Sequence, residues 1–183
     1  MANIRVFQNV YSNGQIEEIT NIIRKRFELE TPVDVKDFIK DKLLGEIIEN
    51  ESLKYEGVIK KSGNSFIIEY RPNTVKRRDN FTLAHELGHL FLHLHYMTND
   101  WGKIDLDEYN EVIFTRYGSG SIEREANSFA GSFLMPEEEF TLAFYKYYDS
   151  NLPDEVDLEA LADKFKVSKL AAHVRAKRLG LIT

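Results

Sequence analysis

The stretch Phe81-Thr-Leu-Ala-His85-Glu86-Leu-Gly-His89-Leu-Phe-Leu-His93 carries an H-E-x-x-H signature inside a run of apolar residues. On an α-helix His85 and His89 are one turn apart, about 40° from each other around the axis, so both imidazoles can reach one metal ion. Glu86 follows the first histidine, where its carboxylate can act on a metal-bound water as a general base. The signature is typical of a zinc hydrolase, although its three fixed letters also recur in unrelated helices.

The helix under this signature is supported by an apolar stripe at helical spacing. The stripe consists of Leu83, Leu87, Leu90 and Leu94. Asp79 or Asn80 is expected to be the N-cap, because either side chain can accept a hydrogen bond from a free amide of the first turn. A stripe of this kind predicts a buried helix that holds the two histidines in fixed positions.

Most zinc hydrolases need a third protein ligand and leave a fourth position open for water. Residues 122–136 show helical periodicity closed by a proline, and Glu123 and Asn127 share one face of that predicted helix. Glu123 is a candidate metal ligand, and the Asn127 amide, one turn later, is expected to orient a ligand histidine through a hydrogen bond. Glu125 is about 200° from Glu123 on the helical wheel and is interpreted as solvated.

His95 is the competing third ligand, because its spacing from His85 is that of the metzincin pattern H-E-x-x-H-x-x-G-x-x-H. That pattern needs a glycine to end the helix before the last histidine, and Leu92 occupies the position here. If the helix continues, His95 faces away from the site. His93 lies a turn beyond the site, where packing or a bond at the helix end is its expected role.

Together these segments resemble the ImmA/IrrE family of zinc metallopeptidases. The similar segments are Arg77-Arg78-Asp-Asn-Phe81 leading into the H-E-x-x-H helix, then Glu123-Arg-Glu-Ala-Asn127-Ser-Phe-Ala-Gly-Ser-Phe-Leu-Met-Pro136, then residues 161–182. The similarity begins near Glu56, and residues 1–50 share only a general helical character. The resemblance implies a gluzincin-like site with His85, His89 and Glu123 as zinc ligands and Glu86 as the base. It also implies a particular substrate, a helix-turn-helix repressor of a phage, mobile element or stress regulon.

The composition is that of a globular chain made in a reducing compartment. Hydrophobic residues form 43% of the 183 positions, and cysteine is absent, which excludes disulfides, thiolate ligands and cysteine catalysis. No apolar run approaches the length of a membrane span, and the amino terminus lacks a signal-peptide pattern. A cytoplasmic protein with no membrane partner is therefore expected.

The sequence predicts an α+β fold: a mostly helical, zincin-like metallopeptidase domain in residues 1–150 with a small antiparallel sheet. Residues 1–50 are expected to hold two helices, and residues 55–150 the hairpin and the catalytic helices. The first helix spans residues 16–27, with Ile16, Ile19, Ile22, Ile23 and Phe27 on one side. The second begins with Thr31 as N-cap and has a buried stripe through residues 35–47.

Residues 55–61 and 65–71 have the alternation of two strands joined by Ser62-Gly63-Asn64, which predicts a hairpin. The hairpin leads almost directly into the helix with the histidines, so it is the expected donor of an edge strand that holds an extended substrate. The other interpretation is a structural sheet whose edge Lys60 and Lys61 protect from aggregation.

Residues 96–121 are expected to form a long loop beside the site, with a strand at residues 111–117. Tyr96, Tyr109, Arg116 and Tyr117 are alternative groups for stabilising an oxyanion at the metal. Packing or simple surface exposure is the competing interpretation for each. After Pro136 a further helix is expected to run to about Asp149.

Residues 154–183 have the proportions of a helix-turn-helix module packed on the catalytic domain, with helices at residues 158–165 and 168–179. The second helix, closed by Gly180, carries most of the terminal positive charge, as a DNA reader would. The net charge of -6 leaves little electrostatic drive for binding nucleic acid. Packing that helps to dock a protein substrate is therefore favoured over DNA contact.

Two functional hypotheses follow from these features. The first is a zinc-dependent, site-specific endopeptidase in which Zn²⁺ polarises the peptide carbonyl and Glu86 takes the proton from water. The second is a non-catalytic regulator or toxin-antitoxin partner that keeps the zinc fold and acts by binding protein or DNA. The retained base at Glu86 disfavours the second, because a structural zinc site has no need of it. Neither hypothesis fixes an oligomeric state.

Overall fold

The computed structural model describes residues 10–99, 101, 120–148 and 156–183. Most of this part is helical, with α1 (Asn13–Arg26), α2 (Val35–Asp37), α3 (Lys76–Gly88), α4 (Ser121–Leu134), α5 (Glu137–Lys146), α6 (Leu158–Phe165) and α7 (Lys169–Arg178). Two π-helical turns, Phe38–Lys42 and His89–His93, extend α2 and α3. A small sheet is formed by β1 (Glu46–Glu49), β2 (Gly57–Ser62) and β3 (Ser65–Tyr70). The fold is therefore α+β, as predicted.

The sheet is mixed, whereas the sequence predicted an antiparallel one. Its strand order is β1-β3-β2. The predicted hairpin is confirmed, because β2 pairs antiparallel with β3 across a turn in which Gly63 has a positive φ of 58°. β1, however, pairs parallel with β3. The chain passes from β1 to the far edge as β2 and returns as β3, so β3 has a partner on both sides.

The first predicted helix is confirmed as α1. The Ser12 hydroxyl caps it by accepting a hydrogen bond from the Gln15 amide at 3.3 Å. Ile16 and Ile23 are buried in the core, whereas Ile22, which the pattern placed on the same side, is 59% exposed.

The second predicted helix is shorter than its apolar stripe suggested. Asp34, and not Thr31, caps it, because the Asp34 carboxylate accepts hydrogen bonds from two amides of the first turn. The helical segment ends at Lys42, and Ile47 lies in β1 beside Ile68 of β3. Pairing with a distant strand has overridden the local helical pattern at Ile47.

The helix of the H-E-x-x-H signature is confirmed as α3 with its π-helical turn, and all four leucines of the stripe are buried. It begins earlier than predicted, after Val75. The Asp79 carboxylate accepts a hydrogen bond from the Asn73 amide at 2.8 Å, and Asn80 bonds to the backbone at positions 33 and 35. Both side chains therefore tie α3 to segments that precede it in the chain, and neither caps it.

Close packing of α3 on α4 sets the geometry of the histidines. A Cβ added at Gly88 would lie 2.9 Å from Ala126 Cα and 3.1 Å from Phe129 Cβ. Only glycine allows this approach, because carbon atoms normally meet at about 3.5–4.0 Å. The contact draws the first turn of α4, which carries Glu123, towards the histidine face of α3.

The helices predicted after Pro136 are confirmed as α5, α6 and α7. The Arg175 guanidinium of α7 is buried, and it donates to both Glu17 carboxylate oxygens at 2.8 and 2.9 Å. It also donates to the Met135 carbonyl at 2.9 Å and to the Ser132 hydroxyl at 3.1 Å. Arg175 thus fastens α7 to α1 and α4, and its charge is not available to a DNA backbone.

No helix within residues 10–99, 120–148 and 156–183 combines the length and apolar character needed to cross a membrane.

Candidate metal centre

Three side chains from α3 and α4 converge on one point. His85 Nε2 lies 3.0 Å from His89 Nε2. Glu123 completes the triangle, with Oε2 3.2 Å from His85 Nε2 and Oε1 3.4 Å from His89 Nε2. Among the described residues these three form the group of His and acidic side chains that can share one metal ion.

The triangle has the dimensions of a tetrahedral zinc site. Two donors at about 2.0–2.1 Å from one tetrahedral ion are about 3.3–3.4 Å apart. The separations observed here are 3.0, 3.2 and 3.4 Å. Glu123 Oε1 is buried, and it has no hydrogen-bond partner in the described part of the chain. A buried carboxylate oxygen without a hydrogen bond destabilises the fold unless a cation balances its charge. Two imidazoles and this carboxylate are a ligand set that fits Zn²⁺.

Asn127 orients the first histidine. Its Oδ1 lies 3.1 Å from His85 Nδ1. An amide oxygen can only accept, so Nδ1 of His85 carries the proton and Nε2 presents its lone pair to the centre of the triangle. This is the contact expected for the amide one turn beyond Glu123.

A buried chain of two further residues stands behind the second histidine. His89 Nδ1 lies 3.0 Å from His93 Nδ1, and His93 Nε2 lies 3.4 Å from Glu125 Oε2. With the His89 Nε2 lone pair turned to the triangle, Nδ1 of His89 donates to His93, which in turn donates to Glu125. Burial, with the neighbouring His85 and His93, holds the pKa of His89 well below its ordinary value of 6.5, which keeps the imidazole neutral.

The interpretation of Glu125 as solvated is wrong. Glu125 is 5% exposed, and His93 is 3% exposed. α4 is covered on more than one side, because α1 also packs on it, as the 3.2 Å contact between Ser128 Oγ and Asn13 Oδ1 shows. The angle from Glu123 on a helical wheel correctly separates the two carboxylates but does not tell which other element covers the second. The signal in the sequence was the third histidine of the run, at position 93.

Glu86 lies in the floor of the site, only 4% exposed, against the backbone of β2. A Cβ added at Gly57 would lie 2.6 Å from Glu86 Oε1. The absence of a side chain at this position therefore makes room for the carboxylate. Burial raises the pKa of Glu86 to about 7, with His85 opposing the shift and Glu123 adding to it.

Other residues considered from the sequence do not join the triangle. His95 is outside the ligand group found in the described residues, and it follows the π-helical turn with a φ of 53°. Tyr96 donates its hydroxyl to the Leu43 carbonyl at 3.1 Å, which favours the packing interpretation. The predicted strand at 111–117, and Tyr109, Arg116 and Tyr117 with it, lie outside the described residues.

A cleft of about 360 Å³ opens over the three side chains, and Gly57, Phe81 and Thr82 are in its lining. The hairpin is the expected donor of an edge strand for the substrate, but its second strand, β3, is the central strand of the sheet and has both edges paired. Within the described residues, the unpaired edge that reaches the cleft belongs to β2. Strand addition at this site is therefore open to β2 and not to β3.

The IrrE N-terminal-like domain, peptidase family M78, matches residues 49–177. The chain belongs to this family. The match includes α3, α4 and the three converging side chains, and it confirms the resemblance to ImmA/IrrE proteins. It also makes this M78 protein a member of a metallopeptidase family.

A solved structure shares the fold of this M78 protein. It is a Mycobacterium tuberculosis transcriptional regulator, with a TM-score of 0.61 and 15% sequence identity. The superposition covers 94% of this chain and 49% of the regulator, so the chain spans about half the length of that protein. No protein in the curated set matches.

Proposed function

We propose that this M78 protein is a zinc-dependent, site-specific endopeptidase. The observation that carries the proposal is the convergence of the His85, His89 and Glu123 donor atoms within 4.8 Å of one another, with a buried carboxylate at Glu86 beside them. Two imidazoles and one carboxylate leave a coordination position open, as catalytic zinc sites do.

Each residue has a distinct task in this proposal. His85, His89 and Glu123 would hold the ion, and Asn127 and His93 would fix the two imidazoles from behind. Zn²⁺ bound there supplies Lewis acidity for peptide hydrolysis. Glu86 takes a proton from water and returns it to the leaving amine, because its carboxylate faces the cleft and is excluded from the ligand triangle.

The substrate is a protein segment in extended form. The edge of β2 that has no partner among the described residues borders the cleft, and its Gly57 lies against the Glu86 carboxylate. A peptide that pairs with this edge passes its carbonyl groups over the triangle of donors. The β2 edge therefore positions the scissile bond, and the cleft walls select the side chains near it.

The proposed substrate is a helix-turn-helix repressor. Two findings support this choice: membership of the family that the IrrE N-terminal-like domain defines, and a shared fold with a protein described as a transcriptional regulator. Cleavage of such a repressor would release its genes from repression. The competing function, a non-catalytic regulator or toxin-antitoxin partner, leaves the buried base Glu86 without a role.

The test is co-incubation of the zinc-loaded protein with helix-turn-helix repressors encoded in the same genome. The parent is expected to cut one of them at a single site, and chelation of the metal is expected to stop it. Glu86→Gln should retain one zinc and lose cleavage by about 10²- to 10⁴-fold, since an amide cannot take the proton. Glu138→Gln, an exposed change on α5, serves as the control and should cut normally. Cleavage by Glu86→Gln at the parental rate would overturn the proposal.

A further inference from the structure

A second cavity adjoins the metal cleft. It has a volume of about 420 Å³ and lies where α3 and α4 meet α7. Glu56, Phe81, Thr82 and Asn127 line both this cavity and the metal cleft. The two spaces are therefore neighbours, and a chain that crosses the metal site passes beside the second space. We call the second space the arginine groove.

The arginine groove is strongly cationic in a chain whose net charge is -6. Its lining includes five arginines, namely Arg71, Arg77, Arg78, Arg175 and Arg178, and a single carboxylate, Glu56. This charge is opposite in sign to that of the whole molecule, so the groove stands out as a site for an acidic partner.

Not all five arginines are available to a partner. Arg175 is held by Glu17, and Arg77 pairs with Asp163. Arg78 and Arg178 are exposed, and neither forms an ion pair within the described ranges. Partial burial lowers the pKa of the Arg178 guanidinium, the adjacent Arg175 lowers it further, and Glu17 opposes both effects. A carboxylate bound in the groove could accept charge-assisted hydrogen bonds from the guanidinium groups of Arg78 and Arg178.

The wall of the groove is apolar along one face of α7. Leu170 and Val174, one helical turn apart, are 71% and 48% exposed, and Ala171 lies between them. Phe81, which lines both spaces, adds an apolar side chain on the side of the metal cleft. Exposed aliphatic side chains beside guanidinium groups match a peptide that alternates apolar and acidic residues.

We propose that the arginine groove is a specificity site for the protein substrate, binding an apolar side chain against Leu170 and Val174 and an acidic side chain at Arg78 and Arg178. The proposal rests on the endopeptidase function above and deepens it by naming the chemistry of the segment next to the scissile bond. Acidic peptide is favoured over nucleic acid because Leu170 and Val174 add exposed apolar side chains to the lining and because Arg175 is already paired with Glu17.

The experiment measures binding apart from cleavage, with full-length, zinc-loaded Glu86→Gln protein. The probes are fluorescein-labelled 12-residue peptides built from four copies of Glu-Leu-Ser, Lys-Leu-Ser or Glu-Ser-Ser, so that every register is sampled. Anisotropy titrations are expected to rank Glu-Leu-Ser first. Arg178→Gln and Val174→Asp should each raise its Kd by about 3- to 10-fold. Lys177→Gln removes one exposed positive charge from the same helix outside the groove and should leave the Kd unchanged.

Three results would overturn the proposal. The lysine peptide could bind as well as the glutamate peptide, Lys177→Gln could weaken binding as much as Arg178→Gln, or a labelled DNA duplex could displace the peptide from the groove. The two proposals fail separately. If the glutamate peptide binds tightly but the zinc-loaded parent cleaves no repressor, the endopeptidase function is wrong and the groove remains a peptide-binding site. If the parent cleaves a repressor at a rate that Arg178→Gln and Val174→Asp do not change, the groove proposal alone is wrong.

Discussion

Replacing Gly88 by alanine tests whether close packing of α3 on α4 builds the metal site. The new Cβ would lie 2.9 Å from Ala126 Cα, 3.1 Å from the Ala126 carbonyl oxygen and 3.1 Å from Phe129 Cβ. Two of these contacts are with backbone atoms of α4, which cannot rotate away. We therefore expect the two helices to move apart.

The size of the effect follows from these distances. Contacts of about 3.5–4.0 Å are restored only if the helices separate by roughly 0.5–1 Å. Glu123 lies one turn before Ala126 on α4 and moves with it, whereas metal-ligand distances tolerate only about 0.2 Å. Overpacking lowers the free energy of unfolding by about 1–3 kcal/mol. The better helix propensity of alanine recovers about 1 kcal/mol of this loss. The metal-free variant should thus be about 0–2 kcal/mol less stable than the parent, while its zinc affinity should fall by about 10- to 100-fold.

Competition with a chromophoric zinc chelator gives the affinity, and urea unfolding without metal gives the stability. Gly131→Ala is the matched control on α4, because a Cβ there meets nothing within 4 Å. It should add about 0.5–1 kcal/mol of stability without changing zinc affinity. If Gly88→Ala binds zinc as tightly as the parent, the helix contact does not set the ligand geometry and the reasoning is refuted.

Three further predictions concern the supports of the site. Asn127→Ala should weaken zinc binding by about 10- to 100-fold. Asn127→Asp keeps an acceptor for His85 Nδ1 and should weaken zinc binding less. Equal losses of affinity in a chelator competition would count against the hydrogen bond between Asn127 and His85. Glu125→Ala should weaken zinc binding by about 10-fold through the loss of the acceptor behind His93, while Arg124→Ala, an exposed neighbour, should have no effect in the same assay. Burial acts to raise the pKa of Glu17, but its hydrogen bond and ion pair with Arg175 leave that pKa below the ordinary 4.5. The stability that this pair adds is present above about pH 4.5 and is lost as the pH falls through the folded-state pKa of Glu17. Glu17→Gln should therefore lower the free energy of unfolding in urea by about 3 kcal/mol at pH 7 and by much less in strongly acidic solution. A loss of stability that does not change with pH would contradict the ion pair.

The parts of the fold that the sequence predicts well are those with a strong local signal. The leucine stripe locates α3, and the period from residue 122 to the proline at 136 locates α4, because each helix buries one continuous face. The candidate ligands follow from these helices, since His85 and His89 are one turn apart and Glu123 shares a face with Asn127. The structure brings all four side chains together.

The parts that sequence reasoning misses depend on contacts between distant segments. Ile47 continues a helical pattern yet lies in β1, because β3 offers it a parallel partner. A helical wheel drawn for α4 alone places Glu125 on the solvent side. In the structure the π-helical turn after α3 places His93 against Glu125. Nothing in the sequence indicates that Gly57 lies against Glu86, because the two residues meet only when β2 packs over α3.

The central claim, that this M78 protein hydrolyses peptide bonds with Glu86 as base, is tested most directly by mass spectrometry of a digested peptide library. Zinc-loaded parent and Glu86→Gln proteins, purified side by side, are incubated with the same library, and new peptide termini are counted. The account predicts new termini with a shared sequence preference for the parent and essentially none for Glu86→Gln. New termini in equal number from both proteins, or none from a parent that holds one zinc ion, would contradict it.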